Sequence, residues 1–130
     1  MPRKSASRKP TDAELAILRV VWGRGPSTVR DVFHVLSDEQ GTGYTTVLKI
    51  MQIMTEKGLL ERDVSVRPQI FRAAKSQGQT QRQLLRDLLD RAFSGSPSTL
   101  VLQALSTRRS TPEERRRIRE LLDRLEEDDA

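Results

Sequence analysis

The sequence has no cysteine, a single histidine and only 4% aromatic residues. Without cysteine there are no disulfides, no thiol catalysis, no cysteine-bearing structural zinc site and no cysteine-based copper sensing. His34 alone, with no second ligand or nucleophile partner near it in sequence, leaves metal binding and Ser-His-Asp chemistry short of parts, so it reads as a structural residue and the chain as no enzyme. No run of about 18 or more uncharged apolar residues is present, which excludes a membrane span, and the N-terminus lacks a secretory apolar segment. A soluble, cytoplasmic protein without a cofactor is expected, and 130 residues suffice for one compact domain or a small domain with an appendage.

What is present is charge: 32% of residues, with 23 Lys plus Arg against 18 Asp plus Glu and a net +5. The excess is unevenly spread. Residues 1–10 carry Arg3, Lys4, Arg8 and Lys9 and no acid, residues 11–74 hold eight bases and eight acids, and residues 75–130 hold eleven against ten. Most of the positive charge therefore belongs to a Ser- and Pro-containing arm. Two readings fit it: a tail too polar to pack, or an arm that touches DNA phosphates or a minor groove.

Hydrophobic spacing divides the rest. Thr11 with Glu14 forms a capping-box pattern before Leu15, Leu18 and Trp22, which predicts a first helix over 12–22, stopped by Gly23 and Gly25. Ser27 or Thr28 can cap a second helix, whose Val29, Val32, Phe33 and Leu36 form one buried stripe and which ends near Ser37. The segment Asp38–Gly43 reads as a turn, and a third helix runs from Tyr44 to Lys57 with Gly58 as its stop. Leu59–Val64 and Gln69–Ala73 then read as strands around a tip at Ser65–Pro68. Three helices followed by a hairpin is the order of a winged helix-turn-helix domain.

Beyond a polar junction at Lys75–Gln79, Leu84, Leu85, Leu88, Leu89 and Ala92 mark a fourth helix. Ser96-Pro97 starts a fifth, carrying Leu100, Val101 and Leu105, and the Thr111–Glu114 capping box starts a sixth, carrying Ile118, Leu121, Leu122 and Leu125. On this last helix Glu113 to Arg117 and Glu120 to Arg124 have favourable i, i+4 order, so its arginines read as a solvated face. The acidic end Glu126–Asp129 opposes the helix dipole and is expected to fray. About a dozen apolar side chains on short helices cannot close a core of their own, which points to a second copy of the chain as the partner of Leu88, Leu100, Val101, Leu105, Ile118, Leu121, Leu122 and Leu125. The expected fold is mostly α: a basic arm over 1–10, a winged helix-turn-helix domain over 11–75 with a β-hairpin wing, and a three-helix dimerisation region over 76–130.

The third helix carries the function. Val47, Ile50, Met51 and Met54 lie on one side, with the methionines as core filler, while Thr45, Lys49 and Gln52 line another. A helix in a major groove needs this division between anchoring and reading faces. A Gln52 amide can pair with adenine, Lys49 can take guanine or a phosphate, and Thr45 and Thr46 can hold backbone oxygens. Arg67 at the hairpin tip can reach a phosphate or a narrow minor groove; Arg62 and Arg72 on the strands are weaker candidates. Tyr44 either donates its hydroxyl to a phosphate or packs over the second helix.

Three stretches resemble the penicillinase-repressor family: Thr11–Trp22, Gly25-Pro26-Ser27-Thr28-Val29-Arg30-Asp31-Val32, and Tyr44-Thr45-Thr46-Val47-Leu48 through Glu56-Lys57-Gly58-Leu59. Gly95–Val101 and the Thr111-Pro112-Glu113-Glu114 start resemble that family's dimerisation region, so the likeness covers about residues 11–125. It implies a homodimeric winged-helix repressor on a dyad-symmetric double-stranded DNA operator. It also implies relief of repression through a membrane-embedded sensor metalloprotease or its downstream protease, by cleavage within the dimerisation region. The corresponding residues are Leu102, Gln103 and Ala104, where Gln103-Ala104 stands in place of the family's Asn-Phe pair. On the third helix Ile53 stands where the family commonly has Arg, and Lys49 replaces a frequent Thr, so an operator sequence does not carry over.

Two other readings remain at this point. Winged helices also serve as protein-interaction adaptors without specific DNA binding. A small-molecule-responsive repressor would need a pocket between the hairpin domain and the tail.

Overall fold

The computed structural model describes residues 9–130, so the basic arm expected over 1–10 falls almost wholly outside the described residues. In order, the elements are α1 (Asp12–Arg24), α2 (Val29–Gln40), α3 (Tyr44–Lys57), β1 (Leu60–Asp63), β2 (Ile70–Ala73), α4 (Gln77–Ala92), α5 (Pro97–Thr107) and α6 (Pro112–Asp129). This is three helices, an antiparallel hairpin and three further helices: the winged helix-turn-helix order followed by a helical region. The chain divides into two compact units, one running through Leu84 and the other Leu85–Ala130.

Local chemistry sets the helix ends of the first unit. At α1 the Thr11 hydroxyl accepts the Glu14 amide at 3.2 Å and the Glu14 carboxylate accepts the Thr11 amide at 2.9 Å, satisfying two amides that the first turn leaves unpaired. The helix runs two residues past the expected Trp22, because the stop comes from Gly25, at φ 93°, while Gly23 stays helical. Thr28, not Ser27, caps α2, in a second capping box with Asp31. Ser27 is buried and exchanges backbone hydrogen bonds with Phe71 at 2.8 and 2.9 Å, a bridge that ties the start of α2 to the hairpin and that spacing in the sequence did not announce. Asp38, Glu39 and Gln40, expected in a turn, form the last turn of α2, and Gly41 in the left-handed region ends it.

In the hairpin Leu60 pairs with Ala73, Glu61 with Arg72, Arg62 with Phe71 and Asp63 with Ile70. The strands are shorter than expected at Val64 because the Asp63 carboxylate accepts both the amide and the hydroxyl of Ser65, at 2.9 and 2.6 Å, and turns the chain out of the ladder. Ile17 and Leu18 of α1, Val32 and Leu36 of α2, Val47, Met51 and Met54 of α3, and Leu60 and Phe71 of the hairpin form one buried cluster. Across it, Lys57 at the end of α3 donates to both carboxylate oxygens of Glu14, at 2.7 and 3.0 Å. Glu14 is 4% exposed, so one carboxylate caps α1 and pins α3 to it. The polar junction at Lys75–Gln79 is a helix start: Ser76 and Gln79 bond reciprocally, which begins α4 at Gln77, well before Leu84. The Trp22 indole donates to the Lys75 carbonyl at 3.0 Å.

The second unit has well-capped helices and no interior. Ser96 accepts the Thr99 amide ahead of α5, and Thr111 and Glu114 form the expected capping box of α6. Arg116 bonds both Glu113 and Glu120, in place of the expected pairs with Arg117 and Arg124, because one guanidinium reaches a carboxylate on the turn before and the turn after. Glu126–Asp129, expected to fray, continue α6 to Asp129. No residue of α5 or α6 is buried. Leu88, Val101, Leu105, Leu121, Leu122 and Leu125 are exposed, and Leu100 and Ile118 half-buried.

Candidate nucleic-acid interface

Helix α3 presents the two faces that its spacing predicts. Val47, Met51 and Met54 have no exposed surface and Ile50, expected beside them, is half-buried at the edge of the core, whereas Thr45, Thr46, Lys49 and Gln52 are all exposed. Thr45 and Thr46 stand in the first helical turn, and Lys49 and Gln52 follow one and two turns along. Arg67 is exposed in the loop between the strands. Tyr44 takes the packing role: its ring meets Phe33 of α2 edge-on, with centroids 5.6 Å apart, while the Arg30 guanidinium lies 4.9 Å from its centre. That distance is within the range of a cation–π contact.

Between α2, α3 and the hairpin lies an open cleft of about 570 Å³, with Gln52 on one wall. Arg30, His34 and Tyr44 line it from the helices, and Arg62 and Gln69 from the hairpin. The register explains why Arg62 faces this cleft and Arg72 does not. Arg62 is two residues from buried Leu60 and opposite buried Phe71, so it shares their side of the ribbon, while Arg72 pairs with Glu61 on the reverse side. Sequence reasoning had ranked the two arginines together and had passed over Arg30 and Gln69. Period-2 alternation counted from Leu60 was the available signal for Arg62; the pairing of Arg30 with Tyr44 depends on how α2 crosses α3.

The one carboxylate on the cleft wall is already engaged. Asp31 accepts the Thr28 amide at 3.0 Å, and this bond, with the Thr28 hydroxyl and the nearby Arg24, holds its carboxyl below the usual range. Among the described residues, neither Arg30 nor Arg62 has a carboxylate within ion-pair distance. The cleft thus offers two guanidinium groups without a carboxylate partner together with the Gln52 and Gln69 amides, and Thr45, Thr46 and Lys49 are exposed on the same helix as Gln52. Such a surface accepts phosphate oxygens and base edges. Among the described residues no group of three or more His, Asp or Glu side chains could hold a metal ion, and no helix is long and apolar enough to cross a membrane.

A sequence model of the penicillinase repressor matches residues 10–124 of this chain. The chain belongs to the penicillinase repressor family. A search of curated proteins finds no significant match. Membership makes the chain a DNA-binding transcriptional repressor by class, from a family of regulators and not of enzymes. The matched span takes in the α3 face with its cleft, all of α5, and α6 up to residue 124.

Proposed function

We propose that the chain is a homodimeric repressor whose two winged helices read the halves of a dyad-symmetric operator. The observation that carries this reading is the polar face of α3, Thr45, Lys49 and Gln52, exposed along a helix whose opposite side buries Val47, Met51 and Met54. In use, Gln52 reads adenine through its amide, Lys49 takes guanine or a phosphate, and Thr45, Thr46 and Arg67 hold the backbone. Tyr44, packed on Phe33 and partly exposed at the start of α3, braces them.

Dimerisation falls to α4–α6. Leu88, Leu100, Val101, Leu105, Ile118, Leu121, Leu122 and Leu125 lie on helices that bury nothing within the second unit, and covering a leucine is worth about 1.5–3 kcal/mol. A second copy supplies the matching surface and sets two half-sites at about one helical turn, or a multiple of it. Relief of repression runs through cleavage at Leu102, Gln103 and Ala104, within reach of a sensor metalloprotease or a protease downstream of it. These residues are exposed but lie inside α5, and the Ser106 and Thr107 hydroxyls donate to the Leu102 and Gln103 carbonyls at 2.7 and 2.6 Å. Cleavage there requires α5 to open locally first, so changes that stabilise α5 should slow induction.

Footprinting of the full chain on genomic fragments tests the reading. Protected sites should be palindromic with half-sites in helical register. Gln52→Ala should cost about 1–3 kcal/mol on such a site and far less on random duplex. Equal losses on both would remove Gln52 from base reading, and no protection of any fragment would overturn the repressor assignment.

A further inference from the structure

Gln52 stands on the wall of a cleft whose other polar lining comes from parts of the chain that recognition through α3 alone does not use. Arg30 reaches in from the first turn of α2 and Arg62 from the core side of β1, and neither has a carboxylate partner among the described residues. Their settings are constrained. Arg30 lies over the Tyr44 ring, which restricts the guanidinium to one side of the cleft, and Arg62 is fixed by strand register opposite Phe71. The acid beside Arg30 is withdrawn, because Asp31 is bound into the α2 cap and faces Arg24 at 3.6 Å. The α2 capping box answers the Thr28 and Asp31 amides, and the full positive charges that line the cleft are those of the two guanidinium groups.

We infer that this cleft is a seat for the operator's phosphodiester backbone, held by Arg30 and Arg62, which line it together with Gln52, with the Tyr44 ring positioning Arg30. The inference rests on the repressor reading and extends it. The seat fixes how deeply and at what tilt α3 enters the groove, so base reading by Gln52 depends on contacts made from α2 and β1. Both arginines contact only phosphate, so they set affinity and salt dependence and not sequence preference.

Salt titration of the full-length protein on an operator and on a random duplex tests this, since each phosphate neutralised contributes about −0.9 to the slope of log affinity against log salt. Arg30→Ala and Arg62→Ala should each make the slope shallower by about one and weaken both duplexes by the same factor. Arg30→Lys should restore the slope. Tyr44→Phe should leave it unchanged and Tyr44→Leu should make it shallower, a distinction that mere loss of fold would not produce. A wild-type slope in both alanine variants, with duplex binding intact, would overturn the seat while leaving the repressor reading standing. Absence of salt-dependent duplex binding by the wild type would overturn both. A final arm exchanges chloride for inorganic phosphate at constant ionic strength. Operator affinity should follow ionic strength alone, and saturable displacement by millimolar phosphate that Arg30→Ala abolishes would assign the seat to a free anion instead.

Discussion

The two units of this chain are built from similar helices and reach opposite ends. Among the described residues, the thirteen buried hydrophobic residues all lie between Ala16 and Phe71, in the first unit, whereas α5 and α6 of the second bury none. Capping does not explain the difference, because Thr28 and Thr111 head capping boxes of the same kind in the two units. What differs is closure. Helices α1, α2 and α3 meet one another and the hairpin around Met51 and Met54, while the leucines of α6 stay about half exposed. A helix end is satisfied locally, but an apolar stripe needs a second surface.

The largest effect should come from breaking the second unit. Leu121→Glu together with Leu125→Glu should convert a dimer to monomer in sedimentation and reduce operator affinity by roughly 10²–10⁴-fold through lost bivalency, with the melting of the first unit unmoved. A variant that stays dimeric would show that the second unit closes through other residues. Next in size is the ion pair that links α1 to α3. Lys57→Met strands the Glu14 carboxylate in the core and should cost about 3–5 kcal/mol in denaturant unfolding, and adding Glu14→Gln should recover part of that loss.

Smaller effects sharpen the comparison. Thr28→Ala and Thr111→Ala each remove one cap at about 1 kcal/mol. In the first unit the loss should lower the melting temperature of the whole core; in the second, hydrogen exchange should find it confined to the first turns of α6. Smallest is the acid response of Asp31. Its carboxyl is held below the ordinary range by the Thr28 amide, so the folded state favours the ionised form. That stabilisation is complete above the unfolded value of about 3.9 and fades as pH falls through the lower folded value. Asp31→Asn should therefore flatten the acid limb of the stability curve by a small margin, and an unchanged limb would remove Asp31 from it.

Much of this architecture was legible before any coordinates. Periodicity and caps placed α3 at Tyr44–Lys57 and marked Val47, Ile50, Met51 and Met54 as its inner face, of which all but the half-buried Ile50 are buried, because a 3.6-residue repeat and a Gly58 stop are local signals. Errors fell where two local signals competed. Asp38, Glu39 and Gln40 look like turn residues and yet extend α2, since nothing ends a helix there until Gly41 takes a left-handed conformation. The polar run at Lys75–Gln79 looks like a linker and starts α4 because Ser76 and Gln79 cap it.

The candidate site divides along the same line. Thr45, Thr46, Lys49 and Gln52 were found from the sequence because they share one helix, and spacing on a helix determines which face a side chain takes. By itself the sequence determined the helices, their caps, the hairpin and the polar face of α3, all products of interactions within a few residues. Only the tertiary structure decided that Ser27 bridges Phe71, that Lys57 reaches Glu14, that Arg30 rests on Tyr44, and that the Arg62 side of the hairpin closes a cleft with Gln52. Each of those joins residues far apart in the chain, and their meeting depends on how helices cross and strands register, which no local pattern specifies.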